Sequence, residues 1–179
     1  AKGAGQVGEL TLAQLQALDA GSWRDARFAG ERIPTLDALC RLMAPTALQL
    51  NLELKTRPNP YPGIEAAVHA CLKRYGLLAR TVISSFNWDS LTRMRALDAD
   101  LRLGLLCGRP LDWADRADAL GAWSLHPQHP YVDADLVQEA HAHRLAILAW
   151  TVNNPAEGAR LAALGVDGLI TDDPGALRA

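Results

Sequence analysis

From Leu48 to Lys55 the chain reads L-Q-L-N-L-E-L-K, an unbroken alternation of apolar and polar residues. A period of two belongs to a strand. It puts Leu48, Leu50, Leu52 and Leu54 on one face and Gln49, Asn51, Glu53 and Lys55 on the other. Short apolar runs recur at 81–86, 101–107, 122–125, 146–152 and 168–171, so six strands are predicted. Helical patterns with recognisable ends lie between them. Asn87 stands at a cap position before Leu91, Met94 and Leu97, and Asp133 does so before Leu136, Val137 and Ala140. Asn154-Pro155, with Glu157 at the third helical position, marks another start, and Gly165 its stop. Asp173-Pro174 repeats the cap-then-proline pattern. Near the beginning, Thr11-x-x-Gln14 has the form of a capping box ahead of Leu12, Leu15 and Leu18.

Strand–helix–strand repetition calls for parallel strands joined by right-handed crossovers. A doubly wound open sheet and a closed (β/α)8 barrel both satisfy it. A central strand of an open sheet is covered by helices on both faces and reads as a continuous apolar run. The 48–55 strand instead has one polar face, which suits a barrel lumen near its active-site mouth. No G-x-G-x-x-G or phosphate-binding loop follows any strand, which removes the commonest doubly wound nucleotide functions. The expected fold is therefore an α/β TIM barrel. Six βα units are counted, and a complete barrel takes ~250 residues. The first two units are thus expected to be missing, leaving residues 1–179 as a single, N-terminally incomplete domain.

Composition narrows the classes. Eighteen Lys and Arg against 20 Asp and Glu give a net charge of −2 with no basic run, which argues against nucleic acid as a partner. No apolar stretch approaches the ~20 residues that span a bilayer, and the N-terminus lacks a signal-peptide layout. Cys40, Cys71 and Cys107 have no metal-ligand spacing and sit in apolar segments. They read as reduced core residues of a cytoplasmic protein.

Barrel enzymes carry their chemistry at the C-terminal ends of strands. There Glu53 and Lys55 share a face, either as a salt bridge or as a metal ligand beside a phosphate-binding cation. A hard divalent ion, Mg²⁺ or Ca²⁺, suits a carboxylate ligand such as Glu53. Phe86, after the serines at 84 and 85, either lines a pocket or packs under a helix. His126 is placed after its strand, in reach of substrate, although a lone loop histidine is more often structural. Trp150 could wall the site, with core packing as the rival reading. Asp172 could orient a neighbour or contact the site, and Asp173 is most simply a helix cap. His69, His141 and His143 fall in helical patterns.

Taken together, several strings resemble the glycerophosphodiester phosphodiesterase family. They are G-A-G-Q-V-G-E-L-T-L-A-Q-L-Q-A-L-D-A-G-S-W (3–23), F-A-G-E-R-I-P-T-L-D-A-L (28–39), L-N-L-E-L-K (50–55), V-I-S-S-F (82–86), A-W-T-V-N (149–153) and G-V-D-G-L-I-T-D-D-P (165–174). They occur in family order across nearly the whole chain. The resemblance implies a TIM barrel that hydrolyses glycerophosphodiesters to glycerol 3-phosphate and an alcohol, in lipid and glycerol metabolism. It implies that Glu53 ligates the divalent metal, Lys55 contacts the phosphate, Trp150 lies beside the substrate and Phe86 is the aromatic after the strand serines.

Members of that family open with a His-Arg strand, a Glu-x-Asp pair and a His-Asp pair, whose histidines act as general acid and base. Neither Glu-x-Asp nor His-Asp occurs here, and the one His-Arg, at His143-Arg144, lies at the end of a helical pattern late in the chain rather than on an opening strand. His126 and His129 do not match those positions, so no acid–base residue is assigned. The chain as it stands is expected to lack catalysis of its own, and the complete protein to be the enzyme. The other readings are a phospholipase D-like or phosphoinositide-cleaving barrel, or a non-catalytic truncated barrel that serves as a binding module. The head group and the oligomeric state stay open.

Overall fold

The computed structural model describes residues 5–177, which form two compact units. The smaller comprises residues 5–48 and 58–77, the larger residues 49–57 and 78–177.

The smaller unit holds helices α1 (Leu12–Ala17), α2 (Leu36–Met43) and α3 (Ile64–Arg74). The capping box at α1 is present: Thr11 N–H donates to Gln14 Oε1 at 2.8 Å, and Gln14 N–H donates to Thr11 Oγ1 at 3.3 Å. After α1 the Asp19 carboxylate accepts from the amides of Gly21, Ser22 and Gly30 at 2.8–2.9 Å. The Ser22 side chain, together with these amides, holds it far below the usual carboxylate range. A side chain at Gly21 would meet the Phe28 carbonyl oxygen at 1.9 Å, so only glycine closes this loop. Thr35 caps α2 through the Ala38 amide. α2 packs on α3, with Cys40 Sγ 3.8 Å from Cys71 Sγ and the Tyr75 hydroxyl donating to Asp37 at 2.8 Å. All three cysteines are free thiols.

The larger unit is built on one parallel sheet. Its strands are β1 (Leu50–Glu53), β2 (Thr81–Ser85), β3 (Arg102–Cys107), β4 (Ser124–Pro127), β5 (Ala146–Ala149) and β6 (Gly168–Leu169). They pair in chain order, β1 to β6, with no reversal. A doubly wound sheet reverses its strand order at a switch point, so continuous order is the mark of a barrel wound in one direction. Helices α4 (Trp88–Leu97), α5 (Ala114–Leu120), α6 (Ala134–Ala142) and α7 (Pro155–Leu164) belong to this unit, α4 packing on β2 and β3 and α6 on β5.

Register divides the sheet into two chemically distinct faces. Leu54, Ile83, Leu103, Leu105, Leu125 and Ile147 alternate onto one and are almost completely buried. Asn51, Glu53, Ser84, Gly104, Ser124 and His126 alternate onto the other together with Val82 and Leu106, and Glu53, Ser84, Gly104 and Ser124 form a row across four strands. This is the polar face that the 48–55 alternation predicts.

The strand bounds differ from those expected, with β1 beginning two residues later at Leu50 and β6 ending two earlier at Leu169, and the differences at β4 and β5 bear on the site. The 122–125 strand lies two residues later, so His126 sits inside β4, opposite Leu106, rather than in the loop beyond it. The 146–152 strand ends as a ladder at Ala149, after which single bonds carry the chain on. Trp150 bridges to Gln128, and the Val152 amide donates to the Ile170 carbonyl at 2.9 Å. Among the described residues no helix is long and apolar enough to cross a membrane.

Candidate active site

Glu53 is the last residue of β1 and pairs in register with Ser84 of β2. Lys55 follows two residues on, with its ammonium 3.0 Å from Glu53 Oε2. The lysine side chain is 78% exposed and the glutamate 29%. An ion pair this open to solvent adds little stability, so the ammonium can be shared with an anionic ligand at small cost. Side chains from the next βα unit tie the segment down. Ser85 Oγ donates to the Leu54 carbonyl at 2.7 Å, and Thr56 Oγ1 lies 2.9 Å from Ser90 Oγ. Asn87 Nδ2 donates to Thr56 Oγ1 at 3.0 Å. Asn87 does occupy the cap position of α4, but its side chain makes no cap bond because it reaches across to Thr56 instead.

The β2 exit delivers Phe86, which is 43% exposed and meets Trp150 edge to face, with ring centroids 5.5 Å apart and planes at 89°. Trp150 leaves β5 with both ends fixed. Its indole N–H donates to the His126 carbonyl at 2.8 Å, its amide donates to Pro127 O, and its carbonyl accepts from the His129 amide. Phe86 is exposed and Trp150 partly buried, so their contact lies near the surface at the strand ends.

His126 corrects the expectation of a rim histidine. Its ring is wholly buried, with Nε2 2.7 Å from Ser124 Oγ and Nδ1 without a partner among the described residues. Burial pulls its pKa down to about 4, so the ring is neutral at physiological pH. It fits because position 104 is glycine: a Cβ there would lie 2.7 Å from Nε2. What His126 offers the mouth is its carbonyl, which sets the indole of Trp150.

Further along the rim, His129 Nδ1 lies 2.8 Å from Glu157, whose other partner is Arg160 at 2.7 Å. The guanidinium and the imidazole hold the Glu157 carboxyl down to about 2. Glu157 was expected only as a helix-start residue; here it ties α7 to the loop that carries the Trp150 contact. Asp172 holds Asn153, accepting from its Nδ2 at 2.7 Å while the Asp172 amide donates back at 2.9 Å. It therefore orients a neighbour. Asp173 caps a turn at Gly175 and Ala176 rather than a helix. His141 and His143 pair with Asp167 and Asp118 on helix surfaces.

A divalent metal needs several donors. Among the described residues no group of three or more histidine, cysteine, aspartate or glutamate side chains is arranged to hold one. Glu53 has the right donor chemistry for a hard cation, as one oxygen ligand and no more. These residues do not themselves assemble a coordination sphere.

Residues 1–176 match the model of the glycerophosphoryl diester phosphodiesterase family. A glycerophosphodiester phosphodiesterase of Caldanaerobacter subterraneus is 37% identical over 174 residues, covering 96% of this chain and 71% of the relative. The structure of a phosphodiesterase of Oleispira antarctica in complex with the product sn-glycerol-3-phosphate is 31% identical. It superposes with a TM-score of 0.87 over 98% of this chain and 72% of that one. With the family model spanning residues 1–176 and a relative 37% identical across most of its length, this chain belongs to the glycerophosphoryl diester phosphodiesterase family of phosphoric diester hydrolases.

Proposed function

We propose that the protein hydrolyses glycerophosphodiesters to glycerol 3-phosphate and an alcohol, with the phosphate bound at the exits of β1, β2 and β5. The observation that carries this reading is the Glu53–Lys55 pair, a carboxylate and an exposed ammonium 3.0 Å apart at the C-terminal end of a barrel strand. Lys55 approaches the phosphoryl oxygens and offsets the charge that builds on them in the transition state. Glu53 supplies one oxygen ligand to a divalent cation, Mg²⁺ or Ca²⁺, which would polarise the phosphoryl group. Trp150, braced by the edge of Phe86, walls the glycerol side, and His126 acts on the substrate through the indole it holds. No residue here is assigned to proton transfer. Support comes from the family match, from relatives that carry this activity in their names and from the glycerol 3-phosphate bound by the Oleispira protein. The three free thiols fit a reducing, cytoplasmic setting and a role in lipid and glycerol turnover.

Steady-state kinetics on glycerophosphodiesters, with enzymatic detection of glycerol 3-phosphate, tests the assignment. Glu53→Gln should lower kcat by about 10²-fold or more while the protein keeps its melting temperature. Near-normal turnover in that variant would overturn the role of Glu53. Chelation should remove activity and Mg²⁺ or Ca²⁺ restore it; activity that survives exhaustive chelation would refute the metal.

A further inference from the structure

A cavity of about 410 Å³ opens beside Phe86, on the side of the sheet ends formed by β1, β2 and β3. Arg57 from the β1 exit, Phe86, Trp88 and Asp89 from the β2 exit, and Asp112 and Arg116 from the β3 exit line it. Two of the four charges cancel within the wall, since Arg116 lies 2.6 Å from Asp89 and also donates to Thr92 at 3.0 Å. The side chains of Arg57 and Asp112 make no hydrogen bond or ion pair among the described residues. Strand order separates them, with the cation on the β1 side, the carboxylate on the β3 side and two aromatic rings from β2 between. Arg57 stands two residues beyond Lys55, at most about 7 Å of chain away, so the cation end of the cavity is the end nearest the lysine assigned to phosphate in the hydrolytic reading.

We propose that this cavity is the alcohol subsite and that it selects an alcohol bearing an ammonium group, with Asp112 as the specificity-determining residue. The inference rests on the hydrolytic reading above. In a glycerophospho-alkylammonium ester the charges run from phosphate anion to ammonium cation, which is the complement of a wall running from Arg57 to Asp112. Phe86 and Trp88 add π-faces to the path, which favour a cation over a neutral group of the same size. An acyl chain finds no comparable apolar trough there, because four of the six lining side chains are charged.

Calorimetric titration of the protein with glycerophosphocholine and with glycerophosphoglycerol, whose head group is uncharged, tests this without requiring turnover. The wild type should bind the choline ester about fivefold more tightly, and Asp112→Asn should erase that preference while leaving glycerophosphoglycerol unchanged. Asparagine is chosen because residue 112 has φ 52°, a conformation asparagine adopts readily. Arg57→Gln should weaken both esters alike. Equal wild-type affinity for the two esters, a preference that survives in Asp112→Asn, or an Arg57→Gln effect confined to one ester would each overturn the subsite and leave the proposed hydrolysis standing. Failure of both esters to bind would overturn the subsite and the hydrolytic reading together.

Discussion

Trp150 shows how much a single side chain depends on its neighbours. Its indole N–H has one partner, the His126 carbonyl, and its ring has another, the edge of Phe86. Trp150→Phe keeps an aromatic ring but removes that hydrogen bond, leaving the carbonyl with the weaker Cys107 thiol contact at 3.8 Å. It should lower unfolding stability by about 1 kcal/mol in urea titrations and raise KM more than it lowers kcat. An unchanged KM would mean that the indole does not face substrate. The face of Glu53 was legible from alternation, because the period of a strand is local, whereas Lys55 lies just beyond the end of β1 and is held near it by the ion pair. Asn87 was only half legible. Its place before a helix is local, whereas the choice to bond Thr56 rather than its own helix depends on where β1 ends.

Among the elements, β3 and β4 are coupled through the space that Gly104 leaves. Gly104→Ala would drive a methyl group into His126 Nε2, Cε1 and Ser124 Oγ, all within 2.9 Å. Overpacking of that kind costs about 1–3 kcal/mol and should shift the melting temperature accordingly. A neutral outcome would show that the ring can move aside. Helix caps behave more locally. Asn154 accepts from the Ala156 amide at 2.9 Å, so Asn154→Ala should cost about 1 kcal/mol of stability, measured the same way. The caps at Thr11, Asp133 and Asn154 were readable because a cap and its amide lie within three residues. The bounds of β4 and β5 were not, because a strand's end is set by how far its partner extends, and that partner is distant in sequence.

For the molecule as a whole, the buried imidazole predicts a pH dependence of stability. His126 is neutral when folded because burial lowers its pKa from 6.5 to about 4. The unfolded chain therefore binds the proton more readily, and stability from this group is complete above about pH 6.5 and lost as pH falls towards 4. The loss is on the order of 3 kcal/mol at the acid end. Denaturant midpoints measured across that window should fall, and His126→Gln should flatten the slope. A slope identical in the variant would mean that another group titrates. The sequence by itself determined that this is an α/β barrel with a polar lumen face, and which side chains stand at the end of β1. Alternation, caps and turn residues act over a few positions and need no knowledge of partners. Only the tertiary structure decided that His126 is buried, that Trp150 is set by its carbonyl and braced by Phe86, and that Arg57 and Asp112 bound one cavity. Each of these depends on the register between strands twenty or more residues apart, which is fixed when the sheet assembles and the helices cover its apolar face.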